Sequence, residues 1–174
     1  MQIEFSTITE KAERYELQGQ DWFPDELGSF VPAGTTWVLL RRRPAGEVEL
    51  RGEFTGILSG VCGRCGVRTA EQPLQSRFEY LITEREEPVG PAERQCLEQD
   101  VQLMYLQGSI IDISRILREQ AYLESPLRML CSPDCRGVCP GCSALLNVEE
   151  CSCTREPTSS PFAVLGKIRQ TKGS

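Results

Sequence analysis

Alternation of apolar and polar residues is the strongest signal in the chain. Between residues 46 and 62 the even positions carry Val48, Leu50, Gly52, Phe54, Gly56 and Leu58, with Glu47, Glu49, Arg51 and Glu53 among them. A period of two puts the apolar set on one face of a strand and the charges on the other. Leu74, Phe78, Tyr80 and Ile82 repeat the pattern, so the two stretches predict a long antiparallel hairpin. Glycines on the apolar face permit bending or the close approach of another group. Shorter alternations predict strands at residues 2–7, with Ile3 and Phe5 on one face, at TTWVLLRRRP from Thr35, and at VQLMYLQ, residues 101–107. One helix is predicted: Asp112 suits an N-cap, Ile113, Ile116, Leu117, Gln120 and Ala121 recur at helical spacing, and Pro126 stops or bends it. Packing of Leu127, Met129 and Leu130 is then expected to position Cys131. The acidic segment before Thr35, including QDWFPDELGSFVPAG, is expected as a loop with Trp22 and Phe23 lying on the core as a lid. Residues 84–100, rich in charge, Pro and Gly, are expected as a second loop.

Cysteines change this picture. Residues 131–153, CSPDCRGVCPGCSALLNVEECSC, hold six of the nine cysteines, and Cys62-Gly63-Arg64-Cys65-Gly66 sits at the expected hairpin tip. A two-residue spacer lets two sulfurs face one metal ion while backbone N–H groups turn towards them. Eight cysteines divide into two candidate sets, Cys62, Cys65, Cys131 and Cys135, and Cys139, Cys142, Cys151 and Cys153. The first set would tie the hairpin to the end of the chain, and the second would be a local module. The spacing also allows one four-ligand site with two spare thiols, or a binuclear cluster. Cys96 is left over in the acidic loop, where the surrounding acids argue against a reactive thiolate. The expected cofactor is structural zinc, one or two ions, since four thiolates leave no open position for chemistry. A tetrathiolate site carries excess negative charge, which Arg64 and Arg136 inside the cysteine turns could offset. Competing readings are a disulfide framework, an iron–sulfur cluster, and a thiol redox enzyme or sensor using the C-x2-C pairs.

Composition narrows the function. The 174 residues are 40% hydrophobic, enough for a packed core, and include no histidine. Cys₂His₂ fingers and Ser-His or Cys-His nucleophilic machinery are thereby excluded. A net charge of −6 denies the protein a general polyanion-binding surface. Charge is nevertheless segregated: residues 1–35 and 84–100 are acidic, whereas 36–77 and 154–174 are basic. Nucleic-acid contact would therefore be local, through Arg41, Arg42, Arg43, Arg64 and Arg68 with the tail cations Lys167, Arg169 and Lys172. The acidic regions could instead bind a basic protein. Behind the tail cations, Phe162, Leu165 and Ile168 fit one side of a short helix, too short to be stable alone in water. No apolar run is long enough to span a bilayer, and MQIEFSTITEKAERYELQGQ does not read as a secretory signal, so a cytoplasmic protein is expected.

Several of these motifs together resemble the YceD-like family, the large ribosomal RNA subunit accumulation proteins of bacteria and plastids. The resemblance is carried by CGRCG, the following strand FEYLIT, the acidic loop, GSIIDISRILREQAYLESPLRMLC, CRGVCPGCSALLN and the ending SPFAVLGKI. Ser143 stands where the family's knuckle commonly has Gly, and Ala144-Leu145-Leu146-Asn147 keeps its Asn-Leu-Asn run only in part. The resemblance implies a role in maturation or accumulation of large-subunit (23S) ribosomal RNA, with no catalytic activity. The expected fold is α+β: an antiparallel β-rich domain with one main helix, residues 1–130, a cysteine-rich zinc-knuckle module, 131–153, and a linker with a short basic tail, 154–174. The expected partner is precursor ribosomal RNA or a basic ribosomal protein, with no membrane and no small-molecule substrate.

Overall fold

A computed structural model describes residues 1–84 and 103–153. The chain divides into two compact units: Met1–Gly63 with Val67–Cys131, and Arg64–Gly66 with the stretch from Ser132 onward. The larger unit holds every described strand and helix: β1 Gln2–Glu4, β2 Glu13–Leu17, β3 Ser29–Pro32, β4 Thr36–Arg42, β5 Val48–Ser59, β6 Gln72–Thr83, β7 Leu103–Tyr105, β8 Ile110–Asp112 and α1 Ile113–Glu124. A six-stranded sheet runs β2-β4-β5-β6-β7, with β3 also paired to β5, and β1 and β8 form a separate antiparallel pair.

The long hairpin is β5 and β6, in register from Val48↔Ile82 to Leu58↔Gln72. Its even face builds the core: Val48, Leu50, Phe54, Leu58 and Ile82 are fully buried, together with Ile113 and Leu117 of α1. Two glycines on that face make room for rings. A Cβ at Gly52 would collide with Phe78, its cross-strand partner, and one at Gly56 would collide with Phe30. Trp22 and Phe23 are buried and pack on Phe30 and Phe54, Phe23 stacking on Phe30 at 4.4 Å between centroids. The Asp112 cap is present, its Oδ1 accepting the Arg115 N–H at 3.1 Å. Gln120 takes a core position on α1 and is satisfied there, donating to the Tyr80 hydroxyl at 2.5 Å.

Four expectations need correction. The first strand ends at Glu4, and Phe5–Thr7 turn into a single 3₁₀ turn that buries Phe5. The acidic segment is more than a loop: β2 adds to β4 as an edge strand and β3 adds to β5, tertiary pairing that the local composition conceals. Strand β7 runs parallel to β6, Leu81↔Leu103. Alternation fixes which face a side chain takes and carries no information about strand direction. Finally, Leu127 is fully exposed, and of the LRML residues Met129 packs against the core.

Candidate metal centres

The two C-x2-C turns are built alike. In the first, the Cys62 N–H donates to the Val67 carbonyl at 2.8 Å, Val61 bridges Arg68, and the Thr69 N–H donates to Gly60 at 3.0 Å. In the second, the Cys139 N–H donates to Ala144 at 2.9 Å, Val138 bridges Leu145, and the Leu146 N–H donates to Gly137 at 3.0 Å. Each bond joins the same offsets from the leading cysteine. The sequence carries the repeat as Gly-Val-Cys-x-x-Cys at Gly60–Cys65 and Gly137–Cys142, a signal finer than the cysteine spacing alone. Each turn then needs a left-handed residue after its second cysteine. Gly66 supplies it at φ 74°, whereas Ser143 adopts φ 60° with a side chain attached.

Sulfur atoms gather into two groups of four. Cys62, Cys65, Cys131 and Cys135 have all Sγ atoms within 4.8 Å of one another, and so do Cys139, Cys142, Cys151 and Cys153. A tetrahedral ion with Zn–S bonds of about 2.3 Å places its sulfurs about 3.8 Å apart. The observed spacing fits either a single zinc ion per set or another thiophilic ion of that size. Within the second set Cys139 and Cys151 approach to 3.2 Å and Cys142 and Cys151 to 3.5 Å.

The sets differ in their surroundings. Cys62, Cys65 and Cys135 are buried and Cys131 is half-buried, whereas Cys142 and Cys153 are exposed and only Cys139 is buried. Around Cys135 the amide of Asn147 donates to Sγ at 3.2 Å while its oxygen accepts the Arg136 N–H at 2.7 Å. Arg64 donates to the Cys135 carbonyl at 2.8 Å, putting a cation beside the ligand loop. In the second set the Cys142 backbone N–H, the Cys151 thiol and the Gly141 N–H stabilise the Cys139 thiolate and bring its pKa down to about 6. The thiols of Cys151, Cys142 and Cys139 push Cys153 up to about 12, since one proton-sharing group of sulfurs cannot hold four charges without a cation. This donor set is suited to an ion that displaces those protons.

The expected phosphate contacts are not gathered in one place. Arg41 is tied to Glu49 at 2.6 Å, and Arg43 lies 3.6 Å from the same carboxylate. Arg51 adds a third guanidinium at 2.7 Å, on a Glu49 side chain only 1% exposed. Burial would raise that carboxyl, but the hydrogen bond from Arg41 and the charges of Arg51, Arg41 and Arg43 hold it below its ordinary value. Arg42 turns inward: it donates to the carbonyls of Ile8 and Phe5 and lies over the Phe5 ring. Arg68 is exposed and bridges Val61 beside the first C-x2-C turn. Lys167, Arg169, Lys172 and Cys96 lie outside the described residues. No helix among the described residues is long and apolar enough to cross a membrane.

Fold and sulfur geometry define a β-sheet protein with two candidate tetrathiolate metal centres built on repeated C-x2-C turns. The family model "Large ribosomal RNA subunit accumulation protein YceD" matches residues 50–169, and the chain belongs to that family. The matched span contains all eight clustered cysteines. The chain is similar to the protein named Large ribosomal RNA subunit accumulation protein YCED homolog 1, chloroplastic, from Arabidopsis thaliana, at 28% identity over 145 residues, 71% of this chain and 45% of the relative. The protein of the same name from Zea mays is 32% identical over 139 residues, 67% of this chain and 46% of the relative. This chain thus spans just under half the length of both relatives. No solved structure matches.

Proposed function

We propose that the protein is a non-enzymatic ribosome biogenesis factor that supports accumulation of large-subunit (23S) ribosomal RNA. The observation that carries this reading is the family match, whose span includes both cysteine sets. In this reading each set holds one zinc ion, the first linking the hairpin turn to residues 131–135 and the second closing residues 139–153 as a compact module. Zinc held by four thiolates is coordinatively closed, so it supports folding and presentation of a binding surface, and the protein works by gripping a partner. Thiol sets of this kind need a reducing compartment, and the cytoplasm is the one this reading assigns. RNA phosphates would be met by Arg41, Arg43 and Arg68 with Lys167, Arg169 and Lys172, while Arg42 and Arg64 brace the backbone that carries them.

Depletion of the protein in growing cells tests the role. Mature 23S ribosomal RNA and large subunits should fall relative to the small subunit, and the wild-type gene should restore them. Unchanged subunit ratios after full depletion would sink the reading. Metal analysis of protein purified without added zinc should give close to two ions per chain. Readily cycling Cys62–Cys65 or Cys139–Cys142 disulfides with no bound metal would favour a thiol redox enzyme or sensor instead. A second reading has the acidic surfaces sheltering a basic ribosomal protein, and the inward engagement of Arg42 and the pairing of Arg41 with Glu49 favour it.

A further inference from the structure

A groove of about 580 Å³ opens in the larger unit where Asp25–Gly28, the start of the first knuckle and Ser125–Met129 come together. Its apolar walls are unusual for their exposure: Leu127 is fully exposed and Val61 is 63% exposed, with Leu27 half-buried behind them. Leu127 follows Pro126 directly after α1, so the chain holds this side chain outward with no core contact to account for it. Ser125 supplies a second and independent feature. Its Oγ is buried in the groove wall and has no hydrogen-bond partner among the described residues, a cost that an incoming donor or acceptor would remove.

The rim is acidic. Asp25 and Glu26 border the groove, and with Asp21 they also line an adjoining hollow around Arg118. Arg118 donates to the Trp22 carbonyl, and the Tyr122 hydroxyl donates to Glu26 at 3.2 Å. Arg128 is the one cation among the described residues of the groove's lining. The two carboxylates in its lining, Asp25 and Glu26, repel a phosphodiester backbone and attract Lys or Arg, while the apolar walls accept a branched or aromatic side chain. An extended peptide also brings the backbone groups that a buried hydroxyl can bond.

We propose that this groove is a docking site for a basic peptide segment anchored by one apolar side chain against Leu127 and Val61, with its cations on Asp25 and Glu26. The site rests on the basic-protein reading above only for the natural source of the peptide. Its test uses the full chain and a fluorescent lysine-rich peptide bearing one leucine, followed by anisotropy. Leu127→Ser should weaken binding about tenfold, as loss of a central anchor does. Asp25→Asn with Glu26→Gln should weaken it by a similar factor and flatten its salt dependence. Replacing the peptide's leucine with serine should reproduce the first loss, with Leu127→Ser then adding nothing. Because Leu127 is fully exposed, Leu127→Ser should melt with the parent protein, which separates lost docking from lost folding. Equal binding by parent and Leu127→Ser, no measurable peptide binding, or tighter binding of a single-stranded RNA oligonucleotide that Leu127→Ser abolishes would each overturn the proposal. Normal 23S accumulation in cells carrying only Leu127→Ser and no peptide binding by the parent would remove the groove while leaving the family role intact.

Discussion

The two knuckles share one backbone plan and differ in what encloses them. The first is bonded at Cys62–Val67 and Gly60–Thr69, the second at Cys139–Ala144 and Gly137–Leu146. Yet three sulfurs of the first set are buried, against one in the second. The plan makes a metal site possible. Enclosure decides how much of the fold depends on it, because burial removes competing water and protons and ties the ligands to a packed core.

The contrast can be broken most directly by removing one ligand from each set. Cys65→Ser should abolish cooperative thermal unfolding or lower its midpoint steeply, because apparent binding energies of structural zinc are on the order of 10 kcal/mol and act as folding energy. Cys153→Ser, at an exposed position, should leave the sheet's transition in place while halving the metal content. Calorimetry with metal analysis reads both, and equal loss in the two variants would erase the distinction.

Acidity sharpens it next. In the second set Cys139 already sits near 6 whereas Cys153 is held near 12, so metal must expel a proton that the free site keeps at neutral pH. Protons therefore compete with metal, and affinity is greatest at high pH and falls as pH falls. Between pH 8 and pH 6 the loss should be about tenfold per pH unit for each proton expelled. Titration calorimetry in buffers of different ionisation enthalpy would measure the released protons, and a pH-independent affinity would contradict the assignment.

Smaller effects follow from the surroundings. Asn147→Ala removes both the donor to Cys135 Sγ and the acceptor for the Arg136 N–H, and should cost about 1–3 kcal/mol of stability. The smallest test is reciprocal. Ser143→Gly should stabilise the second knuckle by about 1 kcal/mol and Gly66→Ser should destabilise the first by a similar amount, since both positions lie in the left-handed region. Denaturant melts of the two variants should move in opposite directions.

Much of the hairpin was legible because one residue in two faces the core, and Asp112 announced the helix start. What escaped reading depended on partners distant in sequence. Glu49 falls on the polar face of β5 and reads as a solvated charge, but Arg41, Arg43 and Arg51 enclose it. The arginine triplet reads as free cations for the same reason. Strand β2 is masked by acidic residues that an edge position tolerates, and only its pairing with β4 reveals it. Spacing left several groupings of the six neighbouring cysteines open, whereas the fold brings four and four together. The repeated Gly-Val-Cys is the sequence signal that ties the two turns to one another.

The ligand sets also differ in how far apart in the chain their members lie. Cys139 to Cys153 spans a few turns, whereas Cys62 and Cys131 are separated by all of β6, β7, β8 and α1. Closing a loop of that length costs more chain entropy than closing a short one, and the sheet must already be assembled to bring its ends together. On a nascent chain the distal knuckle could capture its ion soon after synthesis, while the proximal one must wait for the last strand and helix. If the enclosed centre holds a metal ion, its loading would report that the sheet has finished folding, and withholding that metal would leave chains arrested at that late step.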